Sequence, residues 1–245
     1  MNRMFDKIDQ KKSKLDKCHP YPSHTLKSLK EKVFLDWTYH SNAIEGNTLT
    51  LKETKVVLEG ITIGGKSIRE HLEIVNHQEA IYYLQDIIRK GVSLSEKQIK
   101  NIHQLVMKGI DDQNVGKYRD QKVLISGAEH TPPEPIAVPG DMRNFMEWYY
   151  KEGVKIHPVE RAAMVHGIFV KIHPFIDGNG RTARLLMNFE LMKDGFPPTI
   201  IRNENRVQYY SALDHAHTTG DYERFIGMVV GEVERSLDLF LEFLT

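Results

Sequence analysis

Apolar residues recur at helical spacing through most of this chain and almost nowhere alternate as they would on a half-buried strand. Leu29, Val33, Phe34 and Trp37 share one face of a segment that predicts a helix over residues 26–44. A second long helix is predicted over residues 67–89, with Ile68, Leu72, Val75, Ala80 and Leu84 as its apolar positions. Thr50-Leu51-Lys52-Glu53 and Ser93-Leu94-Ser95-Glu96 read as capping boxes, the second ahead of Ile99, Ile102 and Leu105. Pro158 suits the first turn of a helix that carries Ala162, Val165, Phe169 and Val170 up to His173. Another helix bears Leu185, Leu186, Phe189 and Met192, and residues 222–244 close the chain as an amphipathic helix. One stretch breaks the pattern. Lys122-Val123-Leu124-Ile125, then Ser126-Gly127-Ala128 and Pro132-Pro133, predict a β-hairpin or flap over residues 117–135. Residues 1–23 are polar and interrupted by His19-Pro20-Tyr21-Pro22, which predicts a loosely held arm. The expected class is mainly α, a helical bundle with one short β-hairpin flap.

Composition narrows the function classes. The 245 residues suffice for one substantial core, with or without a helical extension. Lys plus Arg and Asp plus Glu number 33 each, so no net field draws the chain to nucleic acid or to an anionic membrane. The basic cluster Lys11-Lys12-Ser13-Lys14 is expected to be solvated. Cys18 is the single cysteine, which excludes an intrachain disulfide and fits a reducing compartment. No run approaches about 18 consecutive apolar residues, and Met1 to Lys17 lacks a signal-peptide core, so a cytoplasmic setting is expected. Gly60-Ile61-Thr62-Ile63-Gly64-Gly65-Lys66-Ser67 has P-loop spacing, but the preceding residues suit a helix rather than the strand a P-loop follows. Asp214-His215 reverses the His-Asp order of a metal phosphohydrolase, and no HExxH or cysteine cluster supports zinc.

The densest chemistry lies in twelve residues, His173-Pro174-Phe175-Ile176-Asp177-Gly178-Asn179-Gly180-Arg181-Thr182-Ala183-Arg184. Pro174 cannot continue the preceding helix, so His173 sits where that helix stops. Gly178-Asn179-Gly180 can curl backbone N–H groups toward an anion, at the positive end of the helix that follows. Arg181 and Arg184, three residues apart, can reach different phosphate oxygens. Asp177 is the lone carboxylate, and a nucleotide-borne Mg²⁺ takes one or two. An imidazole with an unperturbed pKa near 6.5 can take a proton from an attacking hydroxyl. The combination points to phosphate transfer by positioning and electrostatics.

The segment resembles the signature of the Fic family, HPFx[D/E]GNGRxxR, at every fixed position. The resemblance spans Ser41 to about Leu244 and is strongest from Pro158 to Leu213. It implies a helical protein that transfers AMP from ATP, with Mg²⁺, to a Ser, Thr or Tyr hydroxyl of a target protein or of itself. A regulatory module on the same scaffold, or a transferase using another nucleotide donor, is the alternative. The resemblance implies His173 as base and Asp177 as Mg²⁺ ligand. It places Gly178, Asn179, Gly180, Arg181, Thr182, Ala183 and Arg184 against the phosphates. Tyr209 and Tyr210 would contact adenosine, although His217 stands where some relatives have asparagine. Ile125, Ser126 and Gly127 of the flap would line the nucleotide, and the flap would dock the target by strand addition. Upstream, Ser41-Asn42-Ala43-Ile44-Glu45-Gly46 resembles the family's inhibitory motif, in which Glu45 would pair with Arg184 and obstruct the γ-phosphate. In some relatives the same glutamate assists removal of AMP. The implied layout is an arm over residues 1–40, an inhibitory-motif region over 41–110 and a Fic core over 111–245. Ile68 suits either the core or a homodimer face.

Overall fold

Two capping boxes set the early helices. Thr50 accepts the Glu53 N–H and Glu53 answers the Thr50 N–H, and Ser67 and Glu70 repeat the arrangement. The computed structural model describes residues 2–244, and side chains from residue 4 to 244. Its helices are α1 (Asn2–Asp16), α2 (Ser23–Ile44), α3 (Leu51–Leu58), α4 (Ile68–Arg89) and α5 (Glu96–Met107), followed by α6 (Val138–Lys151), α7 (Pro158–Ile172), α8 (Asn179–Lys193), α9 (Arg206–Thr219) and α10 (Glu223–Leu244). No helix among the described residues is long and apolar enough to cross a membrane.

α8 is the axis of the bundle, packed on α7 and flanked by α4 and α5. Every residue from Arg181 to Leu191 is buried. A helix enclosed on all sides must satisfy its polar groups internally. The Asn188 amide therefore pairs with the Thr199 backbone at 2.7 and 2.8 Å. The fully buried Glu190 accepts from Arg161 at 2.7 Å, from Tyr149 at 2.8 Å and from Lys193 at 2.7 Å. These contacts fix the far end of α8 and thereby the orientation of its N-terminus, where the signature residues lie.

Five expectations need correction. No β-strand occurs among the described residues, so the hairpin over 117–135 is replaced by an irregular extended segment. Several of its backbone donors go to other groups and not to a ladder: Arg119 N–H to the Pro174 carbonyl, Ala128 N–H to the Ile125 carbonyl, and those of Glu129 and His130 to the Asp214 carboxylate. Pro132 and Pro133 offer no N–H to a returning strand. The expected loose arm is helix α1, which lies along α10 with Phe5, Ile8 and Leu15 buried. Lys11, expected in solvent, bridges Glu234 at 2.6 Å and Asp238 at 2.5 Å. The cap of α5 is Ser95, which accepts the Gln98 N–H, so Ser93 forms no capping box. On α4 the buried face is Ile74, His77, Ala80, Ile81, Leu84 and Ile87, while Ile68 is 79 % exposed and Val75 36 %.

Candidate active site

α7 begins on Pro158 and ends at His173, whose backbone adopts φ 49° and ψ 60°. Among the described residues it is the one non-glycine at positive φ, a conformation that L side chains adopt at a cost. The turn that follows is tied to itself. The Asn179 carboxamide accepts the Phe175 N–H at 3.0 Å and donates to the Phe175 carbonyl at 2.8 Å. Asn179 thus spends its side chain on the loop and leaves its backbone for a ligand. Gly178 takes φ 76°, with a would-be Cβ 2.8 Å from Met107 Sδ, so only glycine fits. α8 then opens with first-turn N–H groups that have no helical partner, a positive pole facing the His173 side of the loop.

Burial pushes the His173 imidazole down to about 4, with Arg119 also lowering it while the Val170 carbonyl, Glu45 and Asp177 pull it up. The ring is therefore neutral near pH 7 and free to accept a proton.

Arg184, 2 % exposed, lies under the α8 N-terminus and is held by residues some 140 positions upstream. It donates to Ser41 Oγ at 3.0 Å, the Ser41 carbonyl at 2.7 Å, Glu45 Oε1 at 2.8 Å and Tyr209 Oη at 3.3 Å. Burial lowers the Arg184 pKa, but Glu45 and Tyr209 outweigh this and keep the guanidinium charged. Glu45 is the last position of the α2 terminus, and Gly46 leaves it at φ 97°. A Cβ on Gly180 would stand 2.2 Å from Glu45 Oε1, so the carboxylate rests directly on the first turn of α8. Helix α2 brings the Ser41–Gly46 segment and the signature together.

Arg181, also 2 % exposed, meets Glu73 at 3.2 Å and Asp177 at 3.5 Å. Burial raises the Asp177 pKa, but Arg181, the Gly178 N–H and Arg69 prevail and hold the carboxyl below its usual range. As an ionised, half-exposed oxygen donor beside the loop, Asp177 fits one protein ligand of a nucleotide-borne Mg²⁺. No cluster of three or more acidic, histidine or cysteine side chains among the described residues supplies a metal site without the nucleotide. Arg69, which pairs with Asp177, would have to release it.

The other predicted positions are placed as follows. Thr182 and Ala183 point into the core. Tyr209 is buried beneath Arg184 and bonded to His166 at 2.9 Å, whereas Tyr210 is 41 % exposed and donates to the Ile44 carbonyl at 3.1 Å. His217 is spent on the Gly167 carbonyl at 3.0 Å, and burial lowers its pKa to about 4. Ile125, Ser126 and Gly127 form a turn closed by the Ala128 N–H, with Ser126 and Gly127 exposed.

Sequence reasoning missed three residues here. His103 of α5 stacks on Phe175 at 3.6 Å, accepts the Gly116 N–H at 2.9 Å, and so must donate Nε2–H to the Asp177 carbonyl, also at 2.9 Å. Nothing in its local sequence announces this role. Arg69 and Glu73 of α4 reach Asp177 and Arg181, and their i, i+4 spacing was the one available signal.

The pattern of the Fic/DOC family matches residues 93–191. A protein adenylyltransferase Fic from Nematostella vectensis is 42 % identical over 97 % of this chain and 56 % of its own length. One from Drosophila erecta is 38 % identical, covering 98 % and 48 % respectively. The chain thus spans about half the length of these curated relatives. Fic-1 from C. elegans superposes with a TM-score of 0.90 at 33 % identity, over 98 % of this chain and 72 % of that one. A Fic domain containing signaling protein from Bacteroides thetaiotaomicron gives 0.88 at 32 % identity, over 97 % and 96 %.

Proposed function

This chain belongs to the Fic/DOC family, and on that footing we propose that it is a protein adenylyltransferase, moving AMP from ATP to a Ser, Thr or Tyr hydroxyl of a target protein. The supporting observation is the neutral His173 imidazole beside the open N-terminus of α8, with two buried arginines beneath it. The backbone at Gly178, Asn179 and Gly180 cradles the phosphates, and Arg181 and Arg184 clamp the β and γ groups. The target hydroxyl attacks the α-phosphorus and gives its proton to His173. The new O–P bond forms as the bond to the β-phosphate oxygen breaks, and pyrophosphate leaves. Mg²⁺ held by Asp177 would offset charge on the phosphates. Tyr210, the more open of the two tyrosines, borders the adenosine, and the target segment docks along extended residues 117–135, where Leu124 is 85 % exposed. The single Cys18 accords with a reducing, cytoplasmic setting. Exposed Ile68 offers a face to a second copy of the chain.

Glu45 makes this a restrained enzyme. Its carboxylate lies on Gly180 and binds Arg184, the two places a γ-phosphate needs. Mass spectrometry after incubation with ATP tests the reading. Glu45→Gly should carry an adduct of AMP mass that Glu45→Gly/His173→Ala lacks; an adduct of another nucleotide, or none, defeats it. The same carboxylate can orient a water to remove AMP. In that case AMP-modified target should release AMP with the wild type and not with Glu45→Gly.

A further inference from the structure

The strained pose of His173 needs a cause, because such a residue persists only where its surroundings over-determine it. Its own N–H is taken by the Phe169 carbonyl at 3.0 Å, and Pro174 has no N–H to help. The remaining constraint comes from the far side of the loop. Arg119 donates its Nε–H to the His173 carbonyl at 2.8 Å and its backbone N–H to the Pro174 carbonyl at 2.9 Å. The rest of the guanidinium reaches the Gln121 carbonyl through Nη1 at 3.0 Å and the Pro133 carbonyl through Nη2 at 2.5 Å. Gln121 and Pro133 lie near the two ends of the 117–135 segment, which on the proposed function faces the target. We propose that Arg119 is a positioning residue, a clasp that holds His173 in its left-handed pose and closes the root of the 117–135 segment in one set of bonds to main-chain carbonyls.

The chemistry of the side chain supports this assignment. Arg119 is 4 % exposed, yet no carboxylate lies within ion-pair distance of it among the described residues. A buried cation held only by carbonyls is costly to keep, so its geometry must matter more than its charge pairing. Three carbonyls in three directions call for a planar fork of donors, which a lysine ammonium on a flexible stem does not provide. Burial, opposed by Glu134, keeps the Arg119 pKa below its ordinary value, but far too high for the group to lose its proton near neutrality. The cation also faces His173 together with Glu45 and Asp177, and of these three it alone disfavours the imidazolium. One residue thereby sets the base's direction, helps keep it unprotonated, and joins the target-facing segment to the loop that carries it.

The proposal rests on the adenylyltransferase reading for its kinetic test but not for its structural one. Arg119→Gln and Arg119→Lys are made in the Glu45→Gly protein, with thermal melts to verify folding. A misplacement of about 1 Å can cost on the order of 10²-fold, so kcat for AMP transfer should drop by about that factor in both variants. KM for ATP should move little, because Arg181, Arg184 and the α8 N-terminus are untouched. Two readouts are independent of activity. Hydrogen exchange across residues 117–135 should accelerate in both variants. The His173 imidazole, followed by NMR, should titrate higher in Arg119→Gln but stay near its parent value in Arg119→Lys, which retains the cation. If Arg119→Gln fails to fold, Arg119→Lys carries the exchange and kcat tests alone. Unchanged exchange in a folded variant, or a raised KM for ATP at constant kcat, would overturn the clasp. An inactive Glu45→Gly parent would instead refute the adenylyltransferase reading, leaving exchange and titration to decide the role of Arg119.

Discussion

The signature loop and the 117–135 segment meet at Arg119, yet they are built on opposite plans. From His173 to Arg184 the loop is pinned from several elements: Asn179 closes on Phe175, His103 holds the Asp177 carbonyl, and α2 and α4 grip the two arginines. The other segment is tied chiefly near its ends, by Arg119 to Gln121 and Pro133 and by Asp214 to Glu129 and His130. Between them Leu124 stands 85 % exposed, and the Lys122–Glu134 pair is open to solvent. A nucleotide has one shape and rewards preorganisation, whereas a protein target supplies part of its own binding geometry. On the proposed function, the contrast is that between a prebuilt nucleotide half and a half completed by the target.

The largest expected effect strikes the rigid half. Proton abstraction by a placed base is worth on the order of 10²–10⁴-fold, so Glu45→Gly/His173→Ala should lose AMP transfer by that factor relative to Glu45→Gly. ATP binding, followed by fluorescence of a labelled nucleotide, should survive, since the arginines and the α8 N-terminus remain. Full activity of the double variant would place the chemistry elsewhere and dissolve the contrast.

Next in size is the proposed restraint by Glu45. A charge-assisted hydrogen bond contributes about 1.5–3 kcal/mol, and about 1.4 kcal/mol is tenfold. Glu45→Gly should therefore raise self-labelling from radiolabelled ATP by roughly 10- to 100-fold. Equal labelling of the two proteins would mean that the contact with Arg184 and Gly180 restrains nothing.

Helical period, caps and the twelve-residue motif made much of this legible in the sequence, but four kinds of feature stayed hidden. α1 carries only Phe5, Ile8 and Leu15 as a sparse apolar stripe, and its helical state depends on α10, to which the local sequence gives no pointer. The α4 face was misassigned because Ile68 and Val75 fit the period yet face solvent, while the polar His77 is fully buried. The short apolar run near Leu124 suggested a strand, but a strand needs a partner, and the residues that would form the return, Glu129 and His130, give their N–H groups to Asp214, while Pro132 and Pro133 have none. His103 and Arg119 act through the main chain of distant residues, a kind of contact that leaves no spacing signature. The pairing of Glu45 with Arg184, 139 positions apart, was visible only because the motif at each end was recognisable.

A third test sharpens the contrast through pH. Burial lowers His77 to about 3 and His103 and His173 to about 4, and lowers His166 well below its ordinary value. All four lie in or behind the rigid half. An unfolded chain protonates these rings near pH 6.5, while the folded one refuses protons until about pH 4 or below. Between those limits the unfolded state binds more protons, so stability falls as pH drops. The melting temperature should decline steadily from pH 7 to pH 5, and His103→Phe should flatten that decline. Exchange into the Phe175–Asp177 turn should quicken over the same range, with little change near Leu124. A melting temperature independent of pH above 5 would show that these rings are hydrated rather than buried.

The smallest expected effect belongs to the open half. Leu124 buries little in the free protein, so Leu124→Ser should leave the melting temperature within about 1 °C, surface changes being commonly within ±0.5 kcal/mol. If a target segment covers that side chain, full burial of a leucine is worth about 1.5–3 kcal/mol, and partial burial correspondingly less. AMP transfer to a target should then fall several-fold through KM, while the pH profile set by His173 stays in place. A loss in kcat with unchanged KM would mean that Leu124 acts on the signature loop, and the division between a prebuilt nucleotide half and a partner-completed half would have to be abandoned.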